Sequence, residues 1–402
     1  MRQHLAAILA AVLLLTGCQG SAPAEAPPSL SPSAQAPAAV LPEPEEPKPP
    51  EPEPDPLQTL LDTMTLPEKV GQLFFVRCPA ENAAADVETY HPGGYILFGR
   101  DFQNAAGGWL TEEQLTETLQ SYQDAAAIPL LIGVDEEGGT VVRASRNPNL
   151  FPGGKFHSPQ WISRHGGDFA ADAREKSAAL LALGINVNLA PVCDVSTNPG
   201  SFIYDRTLGQ DAAATADYVE SVVTAMRDCG IGSVLKHFPG YGNNPDTHTG
   251  IAVDERPLES FLNQDFLPFQ AGITAGGDTT AVLVSHNIIS HVDDWALPAS
   301  LSPAVHDLLR KDLSFDGVVM TDDLAMDAVA KYAENGAVAL MALQAGNDMI
   351  ITSDYRMQIP LVIKAVEAGD LGGEATVDQA CLRVLRWKQA LGLLEQNNGE
   401  PS

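Results

Sequence analysis

The chain is poor in basic residues and cysteine, and it has no apolar run long enough to span a membrane. Lysine and arginine number 23 against 52 acidic residues, a formal net charge of −29 over 402 residues. A chain this acidic repels phosphate backbones and anionic headgroups, which excludes nucleic-acid binding as a main function. Of the five cysteines, Cys78, Cys193, Cys229 and Cys381 are far apart and form no C-x-x-C pair. That removes a zinc or redox signature and predicts buried free thiols. Asp246 and His248 could both ligate a metal, but no third ligand has supporting spacing, so neither metal nor cofactor is expected. No G-x-G-x-x-G turn follows the first predicted strand, which weakens a dinucleotide-binding reading.

The first residues carry an address. Met1-Arg2 is a positive start and Leu5 to Leu15 a short apolar run, too short for a permanent span and suited to a signal-peptide core. The run ends in Leu15-Thr16-Gly17-Cys18, the pattern of a lipobox. On that reading residues 1–17 are a signal peptide and Cys18 is the lipidated mature N-terminus. The protein is then extracytoplasmic and anchored to the cell membrane through acyl chains on Cys18. A plain secretory signal with a chance cysteine is the alternative. Residues 18–56 are rich in Pro, Ala, Ser and Glu and cannot bury enough apolar surface to fold. They predict an extended stalk.

Residues 57–396 read as a single catalytic domain, with 397–402 a tail. Leu57 to Val70 has helical spacing broken near Thr65, an N-cap with Glu68 three residues on. Eight short β-branched or apolar runs come next: Leu73–Val76, Gly94–Phe98, Leu130–Val134, Ile185–Leu189, Gly232–Leu235, Ala281–Val284, Gly317–Met320 and Met349–Ile351. Segments of helical composition separate them, among them Ala170–Leu183, Ala212–Cys229, Pro303–Leu313 and Gly336–Ala345. Strands alternating with helices predict parallel β/α units, and eight such units predict an α/β fold of the closed (β/α)8 barrel type. An open doubly wound sheet is the rival. Val377 to Leu394 predicts a terminal helix covering the barrel.

In such a barrel chemistry sits at the C-terminal ends of the strands. Five predicted strands run into polar groups there: Asp135-Glu136-Glu137, Asp194, Lys236-His237, Ser285-His286-Asn287 and Thr321-Asp322-Asp323. A long loop rich in Gly, Pro and Asn extends from Lys236-His237 and carries Asp246 and His248 two residues apart. In an extended loop that spacing puts both side chains on one side, so the carboxylate can orient a general acid/base imidazole. A turn acid beside an unrelated histidine fits the spacing too. A retaining glycosidase needs a nucleophilic carboxylate and an acid beside the leaving oxygen. Asp322 could supply the first and His248 the second, while Asp323 caps the next helix.

Met64-Thr65-Leu66-Pro67-Glu68-Lys69-Val70-Gly71-Gln72, Val134 to Gly139, Asn188 to Val195, Lys236 to His248 and Thr321 to Met326 occur in that order along the chain. With these motifs the sequence resembles glycoside hydrolase family 3, in particular its single-domain β-N-acetylhexosaminidases, over about Leu57 to Leu394. The resemblance implies Asp322 as nucleophile, Asp246-His248 as acid/base dyad, and Asp135, Arg143, Arg206, Lys236 and His237 as holders of the sugar hydroxyls. It implies a carbohydrate substrate with terminal β-linked N-acetylglucosamine, and the anchor points to peptidoglycan fragments. Two positions depart from the motifs: Tyr241 stands where His is common, and Thr140 where Arg is common. A β-glucosidase-like or phosphorolytic enzyme on the same scaffold is the second reading. A sugar-binding transport lipoprotein is the third.

Overall fold

The computed structural model describes residues 55–247, 250–332 and 338–394. These belong to one compact unit. Eight parallel strands run in the order of the sequence around the barrel: β1 Phe74–Arg77, β2 Gly94–Leu97, β3 Leu131–Val134, β4 Val187–Asn188, β5 Gly232–Phe238, β6 Thr280–Val284, β7 Val319–Thr321 and β8 Ile350–Thr352. Strand β8 pairs with β1, Phe74 opposite Ile350. The ring closes between β7 and β8 through a parallel bridge, Met320 to Met349. This closure excludes the open doubly wound sheet, and each of the eight expected strands is found.

The two-residue period of a strand explains how the barrel fills. Phe75, Ile96, Leu131, Val187, Val234, Leu283 and Met320 form one buried cluster inside it. Their neighbours Phe74, Val76, Tyr95, Leu97 and Ile132 pack outward in another cluster with the surrounding helices. Gly133 is the small residue that this filling requires, since a Cβ there would meet Phe75 Cζ at 2.5 Å and Leu189 Cδ1 at 2.9 Å.

The outer helices match the expected segments: Phe169–Ala182, Ala212–Cys229 and, farther along, Val338–Ala345. Pro303–Leu313 begins as an α-helix over Pro303–Asp307 and continues as a wider π turn over Leu308–Asp312. The first helical segment breaks into Pro56–Thr63 and Leu66–Gln72, with the Thr65 N–H and hydroxyl both donating to Glu68 Oε2 at 2.7 Å. The terminal helix, Glu374–Ala390, covers the N-terminal end of the barrel. Its Val384 and Trp387 join the interior cluster, and Trp387 Nε1 donates to Thr279 O just before β6. Cys78, Cys193, Cys229 and Cys381 are free thiols; all are buried except Cys229, which is half-exposed because it ends its helix. No described helix is long and apolar enough to cross a membrane. Cys18 and the leader lie outside the described residues.

Candidate active site

The C-terminal ends of the strands surround a cleft of about 650 Å³. Asp135, Arg143, Arg206, Lys236, His237, Asp246 and Asp322 all line it, although β3, β5 and β7 and the loops after β4 and β5 supply them separately. Three of the five strand ends expected to share the mouth do so, those after β3, β5 and β7; Asp194 and Ser285-His286-Asn287 are buried behind it and do not line the cleft.

The chemistry is organised around Lys236 near the end of β5. Its Nζ lies 2.6 Å from Asp135 Oδ1 and 2.7 Å from Glu137 Oε1. Glu137 in turn takes both Nε (3.0 Å) and Nη2 (2.8 Å) of Arg206 in a two-pronged pair. Burial would push the Glu137 carboxyl up, but Arg206 and Lys236 reverse this and hold it well below the usual carboxylate range. Burial likewise opposes the charge on Lys236, and Asp135 with Glu137 outweighs it, so its ammonium sits above the ordinary lysine value. Glu137, Lys236 and Arg206 keep their charges because each offsets the desolvation of another.

His237 extends the network. Its Nδ1 lies 2.7 Å from Asp194 Oδ2, and its Nε2 is 3.0 Å from Arg206 Nη2. Arginine can only donate, so Nε2 accepts and Nδ1 carries the proton given to Asp194. Both ring nitrogens are therefore engaged by protein groups, and His237 orders Arg206 at the cleft wall. Asp135 is more open: among the described residues its other ionic partner is Arg143, whose Nη2 lies 3.7 Å away. The Asp135 and Arg143 side chains thus keep hydrogen-bonding capacity toward a ligand.

Asp322 comes directly after β7. Its N–H donates to Val284 O of β6 at 2.9 Å, and its Oδ1 accepts from the Asp323 N–H at 2.8 Å. Asp323 Oδ1 accepts from the Ala325 N–H at 2.9 Å, closing a local turn; the next helical segment begins only at Asp327, so the expected helix cap is not what Asp323 forms. Its carbonyl meets His286 Nε2 at 3.0 Å. The turn is pinned from several directions, so the half-buried Asp322 is held at the cleft by a fixed backbone.

The loop after β5 brings Asp246 to the same cleft. Arg256 holds the base of this loop: it donates to Gly240 O at 3.1 Å and pairs with Asp254 and Asp265 at 2.8 Å each. Nearer the tip, the buried Tyr241 hydroxyl bonds the Thr247 hydroxyl and accepts the Thr247 N–H at 3.1 Å. Tyr241 thus ties down the residue between Asp246 and His248. His248 itself lies outside the described residues. Thr140, the other departure from the motifs, is exposed at the rim.

Comparison with known proteins agrees with this geometry. A family model, the glycosyl hydrolase family 3 N terminal domain, matches residues 65–387. The chain belongs to glycosyl hydrolase family 3. It is 30% identical to a beta-hexosaminidase of Alkalilimnicola ehrlichii, over 77% of this chain and 91% of that one. It is 32% identical to the beta-hexosaminidase LpqI of Mycobacterium tuberculosis, over 80% and 82% of the two chains. A solved family 3 beta-N-acetylglucosaminidase from Paenibacillus sp. FPU-7 superposes with a TM-score of 0.73 at 29% identity, over 84% of this chain and 65% of that one. This family 3 chain is a glycoside hydrolase, a β-N-acetylhexosaminidase.

Two residues of this family 3 site had no assigned role in the sequence. Glu137 links Lys236 to Arg206, and Asp194 holds both His237 and, through its Oδ1, the Tyr241 N–H at 2.7 Å. A third, the fully buried Glu136, accepts the N–H groups of Arg143 and Ala144 at 2.9 and 2.8 Å and so shapes the rim that presents Arg143. The run Asp135-Glu136-Glu137 carried the signal: adjacent carboxylates after a buried strand need partners, and those of Asp135 and Glu137 lie far away in sequence.

Proposed function

We propose that this enzyme is a retaining exo-β-N-acetylglucosaminidase acting through a covalent glycosyl-enzyme on Asp322. The Asp322 carboxylate attacks the anomeric carbon as the glycosidic bond breaks, and His248, oriented by Asp246, gives its proton to the leaving oxygen. Water then attacks the same carbon, His248 takes the water proton, and Asp322 is released. Asp135, Arg143, Arg206, Lys236 and His237 form the wall that receives the sugar. A carboxylate accepts from two hydroxyls and the cations donate charge-assisted bonds.

The observation that carries this reading is the placement of Asp322. It sits at the end of a barrel strand, on a pinned turn, in the same cleft as the charged network and Asp246. The loop dyad supplies the proton, and Tyr241 steadies the loop. The natural source of the sugar is proposed to be peptidoglycan fragments, reached from a lipid anchor at Cys18. That part rests on the Leu15-Thr16-Gly17-Cys18 motif.

The test compares hydrolysis of an aryl β-N-acetylglucosaminide with that of the aryl β-glucoside, each with and without phosphate. A strong preference for the N-acetylated sugar, unaffected by phosphate, is expected. Preference for the glucoside overturns the substrate assignment, and release of sugar phosphate replaces hydrolysis with phosphorolysis.

A further inference from the structure

Strand β1 ends in an arginine to which the reaction above gives no part. Phe75 faces the barrel interior. The two-residue period carries Arg77 to the same side, one layer higher, where it lines the catalytic cleft. Among the described residues no carboxylate pairs with Arg77, and its Nε is buried without a hydrogen-bond partner. Asp101 lies within electrostatic range of it. Both Asp101 oxygens are engaged elsewhere, Oδ2 by the Phe98 N–H at 2.7 Å and Oδ1 by Arg100 Nε at 3.3 Å. An unpaired guanidinium in a cleft stands out in a chain with 52 acidic residues against 23 basic.

Stacking holds Arg77 in place. Its guanidinium lies 4.3 Å from the centre of the Phe98 ring, and that of Arg143 lies 5.7 Å from the same ring. Arg143 also leaves its Nε unbonded, and its Nη2 approaches Asp135 only to 3.7 Å. Asp135 is already taken by Lys236 at 2.6 Å. The corner of the cleft between β1 and β3 therefore holds more positive than negative charge, with donors to spare.

The handedness of the barrel and of the sugar together set what this corner meets. Right-handed β/α crossovers make the strands run counter-clockwise when the mouth faces the viewer. A retaining enzyme attacks a β-linkage from the opposite face of the ring, so the β face points out of the mouth. Seen from that face, the carbons of a D-pyranose run clockwise. With C1 over Asp322 after β7, C4 falls toward Asp135 after β3. C5 and its hydroxymethyl group then fall between β1 and β2, beside Arg77 and Phe98.

We infer that Arg77, with Arg143, forms a recognition site for an anionic ester, sulfate or phosphate, on the 6-hydroxyl of the terminal N-acetylglucosamine. The inference rests on the reading of Asp322 as nucleophile of a retaining β-N-acetylglucosaminidase. Two guanidinium groups offer a tetrahedral oxyanion several charge-assisted hydrogen bonds. A neutral hydroxymethyl group uses few of them, so Arg77 acts on charged substrates and leaves the reaction at C1 unchanged.

The test uses three aryl β-N-acetylglucosaminides: unsubstituted, 6-O-sulfated and 6-O-phosphorylated. The parent enzyme is expected to hydrolyse at least one ester with a kcat/KM no lower than that of the unsubstituted sugar, and the better ester identifies the anion. Its rate on that ester, relative to the neutral sugar, should fall as salt is raised. Arg77→Met keeps the apolar stem over Phe98. Its kcat/KM on the ester is expected to fall about tenfold or more, with the rate on the unsubstituted sugar near that of the parent. Arg77→Lys should recover part of the loss. A parent slower on both esters than on the neutral sugar overturns the site, and so does an Arg77→Met loss equal on all three substrates. Where Arg77→Met fails to fold, the parent decides: a relative ester rate indifferent to salt overturns the site. A parent inactive on all three substrates sinks the underlying β-N-acetylglucosaminidase reading instead.

Discussion

The two ends of the barrel each bury a lysine, and they treat it in opposite ways. At the mouth, Lys236 lies between Asp135 and Glu137 at 2.6 and 2.7 Å, and its charge is reinforced. At the floor, Lys388 of the terminal helix is fully buried and donates to the Gln72 amide oxygen at 2.6 Å. Burial pushes the Lys388 ammonium down to about 7, with Cys381 opposing weakly. The mouth therefore retains charge inside a network that a polar substrate can use. The floor retains a side chain whose apolar stem packs and whose head is most stable without its proton.

Four changes break or sharpen this contrast. Asp322→Asn removes the proposed nucleophile at the mouth and leaves the pinned turn intact; kcat should fall by about 10⁴-fold or more, read in steady-state hydrolysis of an aryl N-acetylglucosaminide. Lys236→Met leaves Glu137 and Asp135 short of a cation. Breaking such a buried pair costs about 3–5 kcal/mol. The expected result is a lower denaturation midpoint together with a kcat/KM reduced by roughly 10²-fold. Tyr241→Phe removes only the hydroxyl that ties Thr247. One lost hydrogen bond contributes about 1 kcal/mol. A kcat reduced about fivefold with little change in KM is expected, since the sugar wall is untouched.

Lys388→Met tests the floor, and its sign is opposite to that of Lys236→Met. Burial holds the folded group at about 7, below its ordinary value of 10.5. Between those values the unfolded chain binds the extra proton, so stability from this group rises with pH across that window and is missing below it. Methionine removes the penalty: the unfolding midpoint should rise by roughly 2–4 °C at neutral pH. The gap between variant and parent should narrow as pH rises toward the ordinary lysine value. A midpoint lowered by Lys388→Met at neutral pH would mean that the floor also needs its charge.

Local pattern made the frame legible. Runs such as Leu131–Val134 are apolar and β-branched throughout because both faces of a barrel strand are buried, and Ala212–Cys229 has an unbroken helical composition between Asp211 and Gly230. Asp322 was legible because a strand end places it. Glu137 and Asp194 were not, because their partners Arg206 and His237 lie 69 and 43 residues away, and only the closed barrel brings them together. Lys388 was hidden for a related reason: nothing within its own helix distinguishes a lysine that faces Gln72 from one that faces solvent. The Thr247 tether explains the departure at Tyr241, which the motif alone registers as a mismatch.

The most direct test is to trap the glycosyl-enzyme with a slow 5-fluoro-N-acetylglucosaminyl fluoride and locate the sugar by peptide mapping. A label on Asp322, formed with loss of activity and absent in Asp322→Asn, is the expected result. A label on another carboxylate such as Asp323 or Asp135, or inactivation without any covalent sugar, would contradict the assignment of Asp322 as the nucleophile.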